Sequence, residues 1–239
     1  MLDRFYLEKI PLKGKDILIK DKNVIHQIAN VLRLKINNVF VIFSNQIEYQ
    51  VIIKNIEKDT ITTTIIDKTT NHREPNKTIH LFPALLKKDN FEFILQKCTE
   101  LGVTSFTPIV TNNTIVRDIS KNKIIRYQNI LKESTEQCGG LNVPILNPAI
   151  SFADAIKNIE KLPGEKIIAW EGQQKNNISQ TINPKINTYY LFIGPEGGFT
   201  SEEIKLTKKN NFTNVNLGNR ILRAETAAIT ASALLLLNP

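Results

Sequence analysis

A chain of 239 residues is long enough for one large domain or for a small domain beside a medium one. Its hydrophobic content of 41% and charged content of 23% lie near globular averages, which excludes a chain left disordered for want of a core. Lys and Arg total 31 against 23 Asp and Glu, giving a net charge of +8, which favours an anionic partner such as nucleic acid or an acidic membrane surface. Cys98 and Cys138 show neither CxxC nor zinc-ligand spacing, so no metal is expected. No signal peptide is recognisable at the start and the longest apolar run of the last segment, 233–237, is too short to span a bilayer. The expectation is a cytoplasmic, soluble protein with no membrane partner.

The first part reads as β-rich, because 39–43, 48–56 and 60–66 are dense in Val, Ile, Phe, Tyr and Thr. Turns are expected at 44–46 and at Lys58-Asp59, and Val39, Val41 and Phe43 alternate in the manner of a half-buried strand. A small barrel or curled sheet over 1–70 closes such strands. The polar stretch 69–77, TTNHREPNK, has no apolar period and contains Pro75, so a linker is placed at 71–78 and a second domain at 79–239.

In that second part, strand-like and helix-like segments alternate. Strands are predicted at 79–85, 106–110, 166–170, 189–193 and 214–217, and helices at 89–101, 121–138, 151–159, 201–210 and 224–237. The alternation predicts an α/β domain with a mostly parallel sheet covered by helices on both faces. The last helix is rich in Ala and Leu with almost no charge, so burial nearly all round is expected.

The sharpest segment runs from Leu191-Phe192-Ile193 through Gly194-Pro195-Glu196-Gly197-Gly198-Phe199 into Thr200-Ser201-Glu202-Glu203-Ile204. Thr200 with Glu203 three residues on forms a capping box, and Phe199 with Ile204 a hydrophobic staple, so the helix start is well specified. Glycines at 194, 197 and 198 leave no Cβ between backbone and ligand, and a loop after a parallel strand is where open α/β sheets bind small molecules. No Gly-Lys-Ser/Thr follows and the GxGxxG spacing is absent, which sets aside Walker-type and dinucleotide readings. A tight turn without a ligand is the plain alternative.

The second segment, Leu217-Gly218-Asn219-Arg220-Ile221-Leu222-Arg223-Ala224-Glu225-Thr226-Ala227-Ala228, leads from the last strand into the last helix. Ile221 and Leu222 are apolar where loops are normally polar, so they have something to cover. Arg223 and Glu225 are candidates for chemistry or for an ion pair at the helix entrance.

These two segments resemble the signature loops of the RsmE family of small-subunit ribosomal RNA uracil-N3 methyltransferases, within the SPOUT superfamily. The likeness extends to His26 with Val31-Leu32-Arg33, to Gln96-Lys97 with Glu100-Leu101-Gly102, and to Glu136-Gln137-Cys138-Gly139 before Val143-Pro144. It spans nearly the whole chain. The resemblance implies a PUA-like RNA-binding barrel followed by a SPOUT domain whose final segments thread a trefoil knot, working as a homodimer.

It also implies S-adenosylmethionine as cofactor and, as substrate, a uridine of 16S ribosomal RNA in the small ribosomal subunit, methylated at N3. Carried onto this chain, the loop from Gly194 through Pro195, Glu196 and Gly197 to Gly198 lines the methionine and ribose side, and Ile193 is a further expected cofactor contact. Leu217, Gly218, Ile221 and Leu222 enclose the adenine, and Arg223, Thr226 and Ala227 are further expected cofactor contacts. Trp170 and Glu171 fall where the first knot loop begins. Arg223 is the expected stabiliser of charge on the uracil carbonyls, with Glu225 or Glu100 to orient it or to accept the N3 proton. Arg4, His26, Arg33, Lys35 and Arg220 are the expected RNA contacts. A SPOUT enzyme for another ribosomal or transfer RNA position, and a non-catalytic RNA-binding assembly factor, are the competing readings.

Overall fold

The computed structural model describes residues 2–44, 46–70 and 73–237, so Asn45 of the expected turn and Asn71 and His72 of the expected linker lie outside the described residues. The chain divides into two compact units, Met1–Glu74 with Thr135–Asn142, and Pro75–Ser134 with Val143–Pro239.

The first unit contains β1 (Arg4–Tyr6), β2 (Leu12–Lys13), β3 (Asp16–Ile19), α1 (Lys22–His26), β4 (Val39–Ser44), β5 (Ile47–Glu57) and β6 (Thr60–Thr70). Its sheet has the order β1-β4-β5-β6-β3-β2, with β1 parallel to β4 and the other pairs antiparallel. Alternation along β5 buries Tyr49, Val51 and Ile53, and β6 adds Ile61 and Thr63. Register shifts at Gln50/Val51 and Ile53/Asn55 bend this long hairpin and raise its twist. Phe5 meets Phe40 edge-on, with ring centroids 5.3 Å apart, at the centre of the core. The five-residue α1 starts where it does because the Asp21 carboxylate accepts the N–H groups of Asn23 and Val24, and a π-helical turn, Gln27–Val31, extends it.

Residues 135–142 belong to this first unit, not to the continuous domain expected over 79–239. The reason is a set of long-range polar contacts without a local sequence signal. The Glu136 carboxylate accepts the Tyr6 N–H at 2.8 Å, and the Glu74 carboxylate accepts the Leu141 N–H. Glu74 also shows that the described end of the expected linker is tied down, as does Arg73, which donates to Glu48 at 3.0 Å.

Arg4 corrects a second expectation. It is 8% exposed, so it is not an RNA contact. Its guanidinium donates to the Glu48 carboxylate at 2.6 Å and to the Gly140 carbonyl at 3.0 Å, and lies 4.8 Å over the Phe43 ring. A buried charge must be paired in this way, and removing one partner of such a pair costs about 3–5 kcal/mol.

The second unit runs β7 (Thr78–Pro83), α2 (Asn90–Leu101), β8 (Ser105–Phe106), β9 (Ile109–Val110), α3 (Lys121–Cys138), β10 (Ile145–Leu146), β11 (Ile150–Ser151), α4 (Phe152–Ile159), β12 (Glu165–Ala169), α5 (Ile178–Thr181), β13 (Thr188–Ile193), α6 (Ser201–Lys209), β14 (Thr213–Val215) and α7 (Ala224–Leu237). The last four residues of α3 count with the first unit. The main sheet, β10-β8-β7-β13-β12-β14, is parallel throughout. The expected strand at 106–110 is interrupted at Pro108, which lacks the N–H a continuous strand needs. Its second half leaves the main sheet and pairs as β9 with β11.

The central strand β13 is apolar at every position from Tyr189 to Ile193 because both faces are covered. Tyr189, Leu191 and Ile193 pack with Phe91 and Leu95 of α2 and Ala228 and Leu235 of α7. Tyr190 and Phe192 pack on the other side with Phe152 and Ile156 of α4 and Ile204 of α6. On β7, His80 stacks on Tyr190 with centroids 5.1 Å apart, its Nδ1 lies 2.7 Å from the Ser105 hydroxyl, and burial lowers its pKa from the ordinary 6.5. The burial expected all round α7 is found on one stripe only. Ala224, Ala228, Ala231, Ser232, Leu235 and Leu236 are buried, whereas Ile229, Ala233 and Leu234 are half-buried and Leu237 is 71% exposed.

Candidate active site

Strands β13, β12 and β14 are neighbours in the sheet, and the chain leaves the carboxyl end of each in a loop. The loops enclose a cavity of about 510 Å³, within the range of small-molecule sites. Trp170 and Glu171 line it after β12, residues 194–199 after β13, and residues 216–223 after β14, with Ala224, Glu225 and Ala227 from the first turn of α7. Ligands of parallel sheets bind at this end of the strands.

The expected cofactor side thus comes together from Trp170 to Ala227, with one exception. Thr226 is exposed and outside the lining, because the first turn of α7 presents Ala224, Glu225 and Ala227 to the cavity and the helical turn places Thr226 on the opposite side. The lining also holds Ala169, Phe199, Asn216 and Asn219, none of which the sequence singled out as ligand contacts. An Asn two residues before a glycine is a turn signal that would have found Asn216, whose Oδ1 accepts the Gly218 N–H at 3.2 Å.

The loop after β13 is held at several points. The Phe199 ring lies under Gly194, where a Cβ would come within 3.0 Å of it. The predicted capping box forms: the Thr200 hydroxyl accepts the Glu203 N–H at 3.3 Å, and the Glu203 carboxylate accepts the Thr200 N–H at 2.8 Å. Phe199 and Ile204 are both buried in one cluster, as a staple requires. Gly198 has a φ of +67°, and the Glu171 carboxylate packs so close that a Cβ there would lie 2.5 Å from its Oε1. Glycine is needed at 198 on both counts. Two residues the sequence did not mark complete the support. Asn113 donates to the carbonyls of Gly197 and Gly198, and the Asn112 N–H donates to Glu203 at 2.9 Å.

The loop after β14 is open by comparison. Gly218 takes a φ of +112° with nothing within 4 Å of where a Cβ would stand. Ile221 is 85% exposed, Arg220 and Arg223 are exposed, and Leu222 and Glu225 are half-buried. Among the described residues Arg223 and Glu225 form no ion pair with each other. Glu100, the other candidate proton acceptor, is not in the lining; its carboxylate takes Lys97 at 2.8 Å along α2, an ordinary i,i+3 pair. His26, Arg33 and Lys35 of the first unit are exposed, with His26 Nδ1 2.9 Å from the Asn30 amide.

The fold is a parallel α/β sheet with a glycine-lined cavity beyond three adjacent strand ends, and residues 72–236 match the RNA methyltransferase domain family. The curated relatives narrow this. The chain is 33% identical over 95% of its length to the ribosomal RNA small subunit methyltransferase E of Mesomycoplasma hyopneumoniae, covering 95% of that protein. The solved structure of the Neisseria gonorrhoeae ribosomal RNA small subunit methyltransferase E, bound to S-adenosylmethionine, superposes with a TM-score of 0.87 at 30% identity, covering 98% of this chain and 96% of that one. A Legionella pneumophila methyltransferase in complex with the same cofactor gives a TM-score of 0.87 at 29% identity over 98% and 97% of the two chains. The chain belongs to the ribosomal RNA small subunit methyltransferase E family.

Proposed function

We propose that the protein transfers the methyl group of S-adenosylmethionine to uracil N3 of one uridine in the 16S ribosomal RNA of the small ribosomal subunit. The observation that carries this reading is the cavity at the ends of β12, β13 and β14, whose walls match the parts of that donor. Gly194, Gly197 and Gly198 line the cavity with main-chain groups for the donor's polar methionine and ribose portions. Glu171 and Glu196 supply carboxylates for its hydroxyl, ammonium and sulfonium groups. Leu217, Ile221 and Leu222 form an apolar slot for a flat adenine. When bound, S-adenosylmethionine supplies an electrophilic methyl on sulfur.

The chain's own residues then have two tasks. The first is to hold uracil N3 in line with that methyl, since alignment of reacting atoms is worth several orders of magnitude in rate. The second is to manage the N3 proton. Arg223 donates its planar fork to the uracil carbonyl oxygens as negative charge develops there, and a guanidinium does so without losing its own proton. Glu225, on the first turn of α7, orients Arg223 or accepts the proton. Arg220 at the cavity rim and His26, Arg33 and Lys35 of the first unit, a PUA-like RNA-binding module, contact phosphates and set register. The target base is presented unpaired, because N3 lies on the edge that base pairing covers.

The half-buried Ile229, Ala233 and Leu234 of α7 with the exposed Leu237 support a homodimer, and a ribosomal substrate supports a cytoplasmic location. The test is mass-spectrometric mapping of 16S ribosomal RNA from cells lacking the protein. One N3-methyluridine should vanish and return on complementation. Its persistence, or loss of a different modification, rejects the reading.

A further inference from the structure

The glycine loop is shaped from 84 residues away. A tight turn precedes α3, in which the Thr111 N–H donates to the Thr114 hydroxyl at 2.9 Å, the two hydroxyls lie 2.9 Å apart, and the Thr114 N–H returns to the Thr111 carbonyl at 3.2 Å. Both threonines are almost fully buried, at 3% and 2% exposure, so the turn is a fixed base. At its tip Asn113 Nδ2 donates to the Gly197 carbonyl at 2.9 Å and to the Gly198 carbonyl at 3.1 Å. Its neighbour Asn112 ties the same turn to the capping carboxylate of α6 at 2.9 Å.

The amide orientation follows from its surroundings. Two carbonyl oxygens face the group, so only the NH₂ end, with two hydrogens, satisfies both; the Oδ1 end would set three oxygens together. Two consecutive carbonyls held by one donor fix the planes of two consecutive peptides. Those peptides join Gly197 to Gly198 and Gly198 to Phe199, a stretch whose glycine backbone is otherwise permissive, and they line the cavity. The backbone at Gly197 approaches so closely that a Cβ there would stand 3.1 Å from that of Asn113.

We infer that Asn113 is a positioning residue: by donating to Gly197 and Gly198 it presets the main chain of the glycine loop for S-adenosylmethionine. This rests on the reading of the cavity as the site of that molecule. Preset geometry raises affinity because the loop need not be ordered during binding. Losing two neutral hydrogen bonds at an exposed position should weaken S-adenosylmethionine binding about fivefold in Asn113→Ala. Asn113→Asp keeps the shape but puts carboxylate oxygens against two carbonyls, so its loss should be greater, on the order of twentyfold. A residue that merely fills space predicts the opposite rank, with Asp near wild type.

Two measurements on the full chain decide the matter. Amide hydrogen exchange at residue 194 and residues 196–199 without ligand should rise from wild type to Ala to Asp, while exchange in β7 and α2 stays unchanged. Calorimetric titration with S-adenosylmethionine should follow the same rank, with turnover at saturating cofactor little altered. Unchanged loop exchange in both variants overturns the inference whether or not the cofactor binds. Altered exchange with unaltered affinity overturns it as well. A wild-type protein that takes up no S-adenosylmethionine instead overturns the reading of the cavity.

Discussion

The loop 194–199 and the loop 216–223 close the same cavity, yet one is cross-linked and the other is open. In the first, Phe199 backs Gly194, Asn113 holds Gly197 and Gly198, Glu171 packs against Gly198, and the Thr200–Glu203 box fixes the helix start. In the second, Asn216 holds the turn at Gly218, and beyond it Ile221 stands 85% exposed between two exposed arginines. Covering an isoleucine side chain is worth about 1.5–3 kcal/mol, so the second loop gains most from what binds against it. The contrast sets a preformed surface after β13 beside a surface after β14 whose apolar residues are covered only when something binds against them.

The largest expected effect lies in the open loop. Arg223→Ala should lower turnover by roughly 10²–10³, the usual cost of one donor to developing negative charge, while S-adenosylmethionine affinity stays within about twofold. Equal losses in turnover and cofactor affinity would move Arg223 from the chemistry to the cofactor site.

Paired glycine variants probe the contrast itself. Gly198→Ala combines a left-handed φ with displacement of Glu171, so cofactor affinity should fall about tenfold or more. Gly218→Ala meets open space and should show mainly backbone strain, roughly 1–3 kcal/mol of stability, with a smaller change in affinity. Identical behaviour of the two, measured by calorimetry and thermal melting, would erase the distinction between the loops. Thr200→Ala should cost about 1 kcal/mol of stability through loss of the cap.

The smallest effect lies on the sheet itself, at His80 of β7. Burial lowers the pKa of His80, so the folded state takes up its proton less readily than the unfolded chain. Its contribution to stability is complete above pH 6.5 and is lost as the pH falls through the lowered value. Urea midpoints at pH 7.5 and 5.5 should therefore differ less in His80→Gln than in wild type.

What was legible in the sequence was local. The Tyr189 to Ile193 strand, the Thr200–Glu203 cap and the apolar pair Ile221-Leu222 each declare themselves within a few residues, and with them the cavity's place at the strand ends. What was not legible depends on partners far along the chain. Arg4 looks like a surface cation until Glu48, 44 residues on, takes its charge. Residues 135–142 look like the end of a helix in the second domain until Tyr6 and Glu74 claim them. Thr226 shares a motif with Ala227 but not its face of the helix, and Asn113 has no sequence signal because its partners are glycine carbonyls. Glu100 belongs to the family likeness, yet its carboxylate goes to Lys97.

Trp170 is the only tryptophan of the chain and lines the cavity, so its emission reports on this site alone. Titration with S-adenosylmethionine should change Trp170 fluorescence saturably, with one site per chain and with weakened binding in Gly198→Ala. Binding heat without any change in that emission, or no binding at all, would contradict the assignment of the cavity.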